Sequence, residues 1–229
     1  MRIHRIVPRT RAEGPGWRFA LWVQGCHNGC PGCFAREMWD SRGGKETALS
    51  ELLRSLRETK ERYPELSGVT LLGGEPMEQA EELALFAEEA GKLGLTVLTF
   101  TGLTREGIAS EGTAAQRRLL DASDLLIDGP YREEERDFSR PLAGSRNQVF
   151  HFLTGRIRPE EMKEAGNRVE LRISPQGLLS GNGMGGLLAE AKLRQLYGAP
   201  AAGGSGEDGQ EGPEGTEHER NAEDGAHGI

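Results

Sequence analysis

The chain has three cysteines, Cys26, Cys30 and Cys33, and all of them lie in one stretch, CHNGCPGC. An odd count in so short a window gives no disulfide framework and points to a reducing compartment, the cytoplasm. Structural zinc wants four ligands, usually two short pairs separated by a longer span. This triplet has no second pair, and His27, the nearby imidazole, is too close to Cys26 to share an ion comfortably. An iron–sulfur cube makes a different demand, because closely spaced thiolates from one loop can hold three corners and leave one iron open to a small ligand. Gly29, Pro31 and Gly32 suit a loop folded around such a cube. From spacing alone an open cluster, zinc and unligated thiols all remain as readings.

Such a loop needs elements to position it. FALWVQ (19–24) reads as a buried strand running straight into the cysteines. Residues 47–62 place Leu49, Leu52, Leu53 and Leu56 at helical spacing, with Thr47 as N-cap and Pro64 as stop. GVTLLGG (68–74), LTVLTF (95–100) and DLLID (124–128) read as further strands. They are separated by an amphipathic helix over 77–93, closed by Gly94, and a broken helix over 104–120. A polar loop runs to about 145, and QVFHFL (148–153), RVELRI (168–173) and a helix over 185–197 complete the expected elements.

Short apolar strands alternating with helices imply an α/β fold with parallel strands and outer helices. With right-handed crossovers this means a doubly wound sheet or a full or partial barrel. About 200 folded residues are few for a complete eightfold barrel, so a partial (β/α) TIM-type barrel with an open side is expected. In each case the functional face lies just beyond the strands. The cysteines, Gly73–Glu75, Thr101–Gly102 and Asp128 all fall there, which predicts one shared pocket.

Composition narrows the functional classes. Residues 201–229 carry −7 of the net charge of −8 and almost no large apolar side chains, so they read as a disordered acidic tail behind a single domain over 1–200. The near-neutral remainder has no basic stripe, which argues against nucleic acid as the main partner. No apolar run is long enough to span a membrane, and the N-terminus has no signal-peptide core.

CHNGCPGC has the C-x3-C-x2-C spacing of radical S-adenosylmethionine (SAM) enzymes. More narrowly, EGPGWRFALWVQGCHNGCPGCFAREMWD resembles the start of glycyl-radical-enzyme activases, above all the small activases of anaerobic ribonucleotide reductase. TLLGGEPMEQ, TFTGLT, DLLIDGPY and LAGSRNQ follow in the family's order, so the resemblance covers about residues 1–180.

The resemblance implies a radical SAM 4Fe-4S domain in which Cys26, Cys30 and Cys33 hold a [4Fe-4S] cluster and SAM chelates the open iron. Reductive cleavage of SAM then yields a 5′-deoxyadenosyl radical that takes hydrogen from a glycine of a partner enzyme. It also implies a flavodoxin- or ferredoxin-type electron donor.

On the same terms Gly73, Gly74 and Glu75 meet the SAM ammonium, Thr101 its carboxylate and Asp128 its ribose, with Asn147 and Gln148 near the pocket. Plainer readings stand beside these: a strand-to-helix turn started by Pro76, a helix cap, a turn aspartate and a loop-to-strand contact. Phe34 takes the aromatic role that many radical SAM enzymes give to the position held by Gly32 in this chain. Ala35 stands where the small activases often have Asn. Arg18 and Trp17 are placed near the mouth, and His151 is read as structural. With no cysteine after Cys33, an auxiliary cysteine-ligated cluster is excluded. Two competitors remain: a radical SAM enzyme acting on a small molecule or peptide, and a zinc-binding interaction module.

Overall fold

In the computed structural model, residues 1–184 are described; the expected helix over 185–197, the domain end at 200 and the acidic tail lie outside them. The strands are β1 (Arg2–Thr10), β2 (Trp17–Val23), β3 (Lys45–Glu46), β4 (Leu66–Gly73), β5 (Thr96–Phe100), β6 (Leu125–Asp128) and β7 (Val149–Phe152). A separate hairpin is formed by β8 (Val169–Ile173) and β9 (Leu179–Gly183). The helices are α1 (Leu49–Arg62), α2 (Ala80–Lys92), α3 (Arg105–Glu111), α4 (Ala114–Asp121) and α5 (Pro159–Ala165).

The main sheet runs β3-β1-β2-β4-β5-β6-β7. Its centre, β2-β4-β5-β6, is parallel, and the flanking pairs are antiparallel. Successive parallel strands are laid down in one direction. Phe19, Leu21, Val97 and Leu126 face Leu52 and Leu56 of α1, Phe86 of α2 and Leu119 of α4 in one core. Helices α1, α2 and α4 thus pack on one face of the sheet, while Met162 of α5 packs on the other. The sheet stays open, with β3 and β7 as its edges, so the α/β class holds and closure does not.

Alternation along the strands builds the second face. Ala20 and Trp22 pack with Val7 and Met38, while Leu98, Leu125 and Ile127 pack with Leu142, Ile157 and Met162. The space between these two clusters is the pocket.

One element is added to the sequence reading and two of its expectations are corrected. β1 is an element that the sequence reading did not include; in it Arg5 lies 4.4 Å over the Trp22 ring and Arg9 3.6 Å over Trp17, so basic side chains cover apolar surface. Thr47 does not cap α1. The cap position is Ala48, and the Thr47 hydroxyl donates instead to the Lys45 carbonyl (3.4 Å). Arg18 is fully buried at the start of β2, the end away from the cysteines, so it is not at the mouth. Its guanidinium donates to Thr70 Oγ1 (3.0 Å), Thr96 Oγ1 (2.6 Å) and the Val69 carbonyl. Gly68 makes the room, since a Cβ there would fall 2.0 Å from Arg18 Nη1. Burial pulls the guanidinium down to about 9, and it keeps its charge at neutral pH.

Candidate active site

A cavity of about 290 Å³ opens beyond the C-terminal ends of β2, β4 and β5. Cys26, Cys30 and Cys33 all line it, together with Gly73, Gly74, Glu75 and Thr101. Three strand ends therefore meet in one pocket, whereas Asp128, expected there too, is not among its lining residues.

The turn after β4 is what holds the cysteine loop. Gly74 N donates to the Val23 carbonyl (2.9 Å) and Glu75 N to the Gly25 carbonyl (2.8 Å), which continues the parallel pairing into the loop. Any side chain at position 74 would collide with this backbone, its Cβ only 2.1 Å from the Gly25 oxygen. Glu75 then caps the 3-10 turn Pro76–Gln79, accepting from Met77 N (2.9 Å). Glu78 accepts from the His27 backbone N–H and lies against His27 Nδ1, both at 2.8 Å. Gln79 Nε2 donates to the Gln24 carbonyl (2.9 Å). The strand-to-helix turn and the cysteine-side contacts are thus one device.

Glu75 is its centre. Its carboxylate is 1% exposed and accepts four hydrogen bonds, two at each oxygen: Met77 N and Thr101 Oγ1 at Oε1, Asn28 Nδ2 and Gly102 N at Oε2. Burial pushes its pKa up while the four donors pull it back, with burial the larger effect. Among the described lining residues Glu75 is the one side chain of Asp, Glu, Lys, Arg or His type.

All three thiols line the cavity. Among the described residues no three His, Cys, Asp or Glu side chains converge as for a single ion. A cube does not ask for convergence, because each thiolate meets a different iron. Burial raises the Cys26 and Cys30 thiols, Glu75 and Glu78 adding to the effect at Cys26. A coordinating iron would deprotonate them regardless.

Other expected site residues divide. Phe34 lines the cavity, half exposed, with its ring 5.9 Å from Tyr131 and 6.2 Å from Phe138. Gln148 also lines it and accepts from Gly144 N (2.8 Å). Asn147 and Asp128 are not among the lining residues. Asn147 Nδ2 donates to the Pro130 carbonyl (2.7 Å) and its oxygen accepts from Ser145, a loop-holding role. Asp128 accepts from Arg105 N (2.6 Å) at the start of α3, and its Oδ2 lies 3.0 Å from His151 Nε2. Asp128 thus ties the end of β6 to the start of α3.

Sequence reasoning missed Asn28, Trp22, Trp39, Tyr131 and Met184, which also line the cavity. Trp22 could have been found by alternation, since it falls on the face opposite Phe19 and Leu21. Met184 could not, because it arrives with a hairpin from far along the chain.

Comparison with known proteins accords with this geometry. Residues 12–151 match the family model described as a 4Fe-4S single cluster domain. The chain belongs to that 4Fe-4S single-cluster family. Within it, this member is similar to the anaerobic ribonucleoside-triphosphate reductase-activating proteins. That of Enterobacteria phage T4 is 30% identical over 152 residues, covering 65% of this chain and 92% of the relative. Those of Salmonella typhimurium and Escherichia coli are 29% and 28% identical, each covering 67% of this chain and 99% of the relative. The matched span takes in the cysteine loop and the strands from β2 into β7, and leaves out β1.

Proposed function

We propose that the protein is a radical SAM activase for a glycyl-radical enzyme, anaerobic ribonucleoside-triphosphate reductase, as the names of its relatives suggest. The observation that carries the reading is the meeting of all three cysteines with Glu75 and Thr101 in one cavity at the ends of parallel strands. Cys26, Cys30 and Cys33, which all line the cavity, would hold the [4Fe-4S] cluster, each thiolate on a different iron. When bound, cluster and SAM supply one-electron cleavage of the sulfonium and abstraction of a hydrogen atom.

The chain's own groups orient and shield. Glu75 gives negative charge to a site that must take a sulfonium and an ammonium. All four of its lone pairs already have donors, and Asn28 is the one donor on a side chain of the cysteine loop, so its amide is the contact that yields to a ligand's ammonium. Thr101 stays bonded to Glu75 and to Leu103 N (3.0 Å), and so fixes the carboxylate rather than reaching for a ligand alone. Phe34, Tyr131 and Phe138 form an aromatic wall suited to a flat base. Asp128 and Asn147 serve by holding α3 and the 130–148 loop in place.

The singly wound parallel run is the finer point of architecture: we read it as part of a TIM-type barrel left open where a partner's glycine loop enters. The electron comes from a flavodoxin- or ferredoxin-type donor.

Anaerobic reconstitution with iron and sulfide, followed by reductant, SAM and the reductase, tests the reading. A glycyl-radical resonance on the reductase, with 5′-deoxyadenosine formed in step, is the expected result. Formation of 5′-deoxyadenosine with a small molecule or peptide, and never a radical on a reductase, would replace the activase by a biosynthetic radical SAM enzyme. A colourless protein with stoichiometric zinc would end both.

A further inference from the structure

The β8–β9 hairpin is amphipathic in the reverse of the usual sense. Its polar residues face the body. Thr10 Oγ1 and Arg11 N donate to Glu170 (2.9 and 2.6 Å), Asn182 Nδ2 donates to Thr10 Oγ1 and Glu13 Oε1 (both 2.9 Å), and Arg172 Nη2 donates to the Arg9 carbonyl (3.2 Å). The alternate positions carry the apolar side chains outward. Leu171, Ile173 and Leu179, with Leu178 at the turn, are 57%, 76%, 66% and 71% exposed. They are four of the six large hydrophobic side chains that the described residues leave exposed. A two-stranded ribbon is marginal alone and is normally held by its apolar face. This ribbon is held by its polar face, so its apolar face lacks a cover among the described residues.

We propose that residues 187–197 of the same chain cover it. The chain leaves β9 at Gly183, and Leu187 follows four positions later, a reach of about 14 Å at most. That stretch carries Leu187, Leu188, Leu193, Leu196 and Tyr197, whereas residues 201–229 are acidic and hold Ile229 as their one large apolar side chain. A segment tethered so closely competes at millimolar effective concentration with any free partner. The family match ends at residue 151, and the aligned relatives, used over almost their full length, account for two thirds of this chain. The hairpin lies beyond that match.

The test uses the full chain with Leu179→p-benzoylphenylalanine, irradiated and digested, and the linked peptides read by mass spectrometry. It needs neither cluster nor reductase, so its outcome is separate from that of the proposed activity. Cross-links within one chain to peptides from residues 187–197 are expected. They should be lost when Leu187, Leu188, Leu193 and Leu196 are changed together to serine, with unchanged far-ultraviolet circular dichroism as the check on folding. Links to a second copy, links that appear only when a reductase is added, or no links to residues 187–197 would each overturn the proposal.

Discussion

At the scale of single residues the site is organised by a carboxylate whose acceptor capacity is fully used. Glu75→Gln keeps the shape but turns two acceptor positions into an N–H2 group that faces donors. Hydrogen bonds to charged groups are worth about 1.5–3 kcal/mol each. SAM affinity of the reconstituted protein should therefore fall about 10- to 100-fold, measured by calorimetry, while iron and sulfide content stay near wild type. Equal affinity would remove Glu75 from the cofactor site. Glu78→Ala acts on the other clamp, releasing His27 from the turn. Its cluster should bleach several-fold faster under chelator, because the loop bearing Cys26 loses a tether; an unchanged bleaching rate would show that the Gly74 and Glu75 backbone bonds suffice. Cys30→Ala should abolish cluster absorbance and 5′-deoxyadenosine formation together.

The cysteines and GGEP were legible in the sequence because their chemistry depends on residue type and near-neighbour spacing. Asn28 was not, since its meaning comes from a carboxylate 47 positions away. Asp128 and Asn147 were placed near the right loops, but which way a strand-end side chain turns depends on its neighbours across space.

At the scale of elements, two polar features support the sheet. Arg18 brings a charge into the core with hydroxyls and a carbonyl as partners. Arg18→Ala would leave Thr70, Thr96 and the Val69 carbonyl short of donors and open a cavity. A loss on the order of 3 kcal/mol or more is expected, read as a lowered melting temperature.

The hairpin's dock contains Glu13, which burial pushes up to about 7 despite its bond from Asn182. Asn182, Arg5 and Glu170 are the groups around it. In the unfolded chain this carboxyl titrates near its ordinary 4.5. Between 4.5 and 7 the folded state thus holds a proton that the unfolded state has released, so this group makes stability fall as pH rises through that window and level off above it. Glu13→Gln should flatten that fall and raise stability at pH 8, by an amount on the order of 3 kcal/mol at most. Denaturant melts from pH 5 to 8 measure it; parallel curves for the two proteins would count against a buried neutral Glu13.

At the scale of the whole molecule, one end of the parallel strands carries the chemistry, while the buried arginine sits toward the other end. The acidic stretch over 201–229 and the cover proposed for the hairpin extend beyond the residues matched by the family. If the proposed activity is right, a partner must bring a glycine to the cavity. Radical transfer should then require the reductase, while 5′-deoxyadenosine release without it should be slow. Equal rates with and without reductase would argue against a protein substrate.

What the sequence alone determined was the set of local patterns: the cysteine triplet, the glycines before Glu75, the apolar strands and the helices between them. Those follow from backbone geometry and neighbouring residues, which a linear string records. The tertiary structure alone decided that β1 pairs beside β2 with its arginines over tryptophan rings, that Arg18 lies inside, and that the sheet stays open at β3 and β7. It also decided that Glu75 joins three strand ends and that a hairpin docks by its polar face. Each of these is a contact between distant positions, and its energy depends on which surfaces meet after the chain has folded.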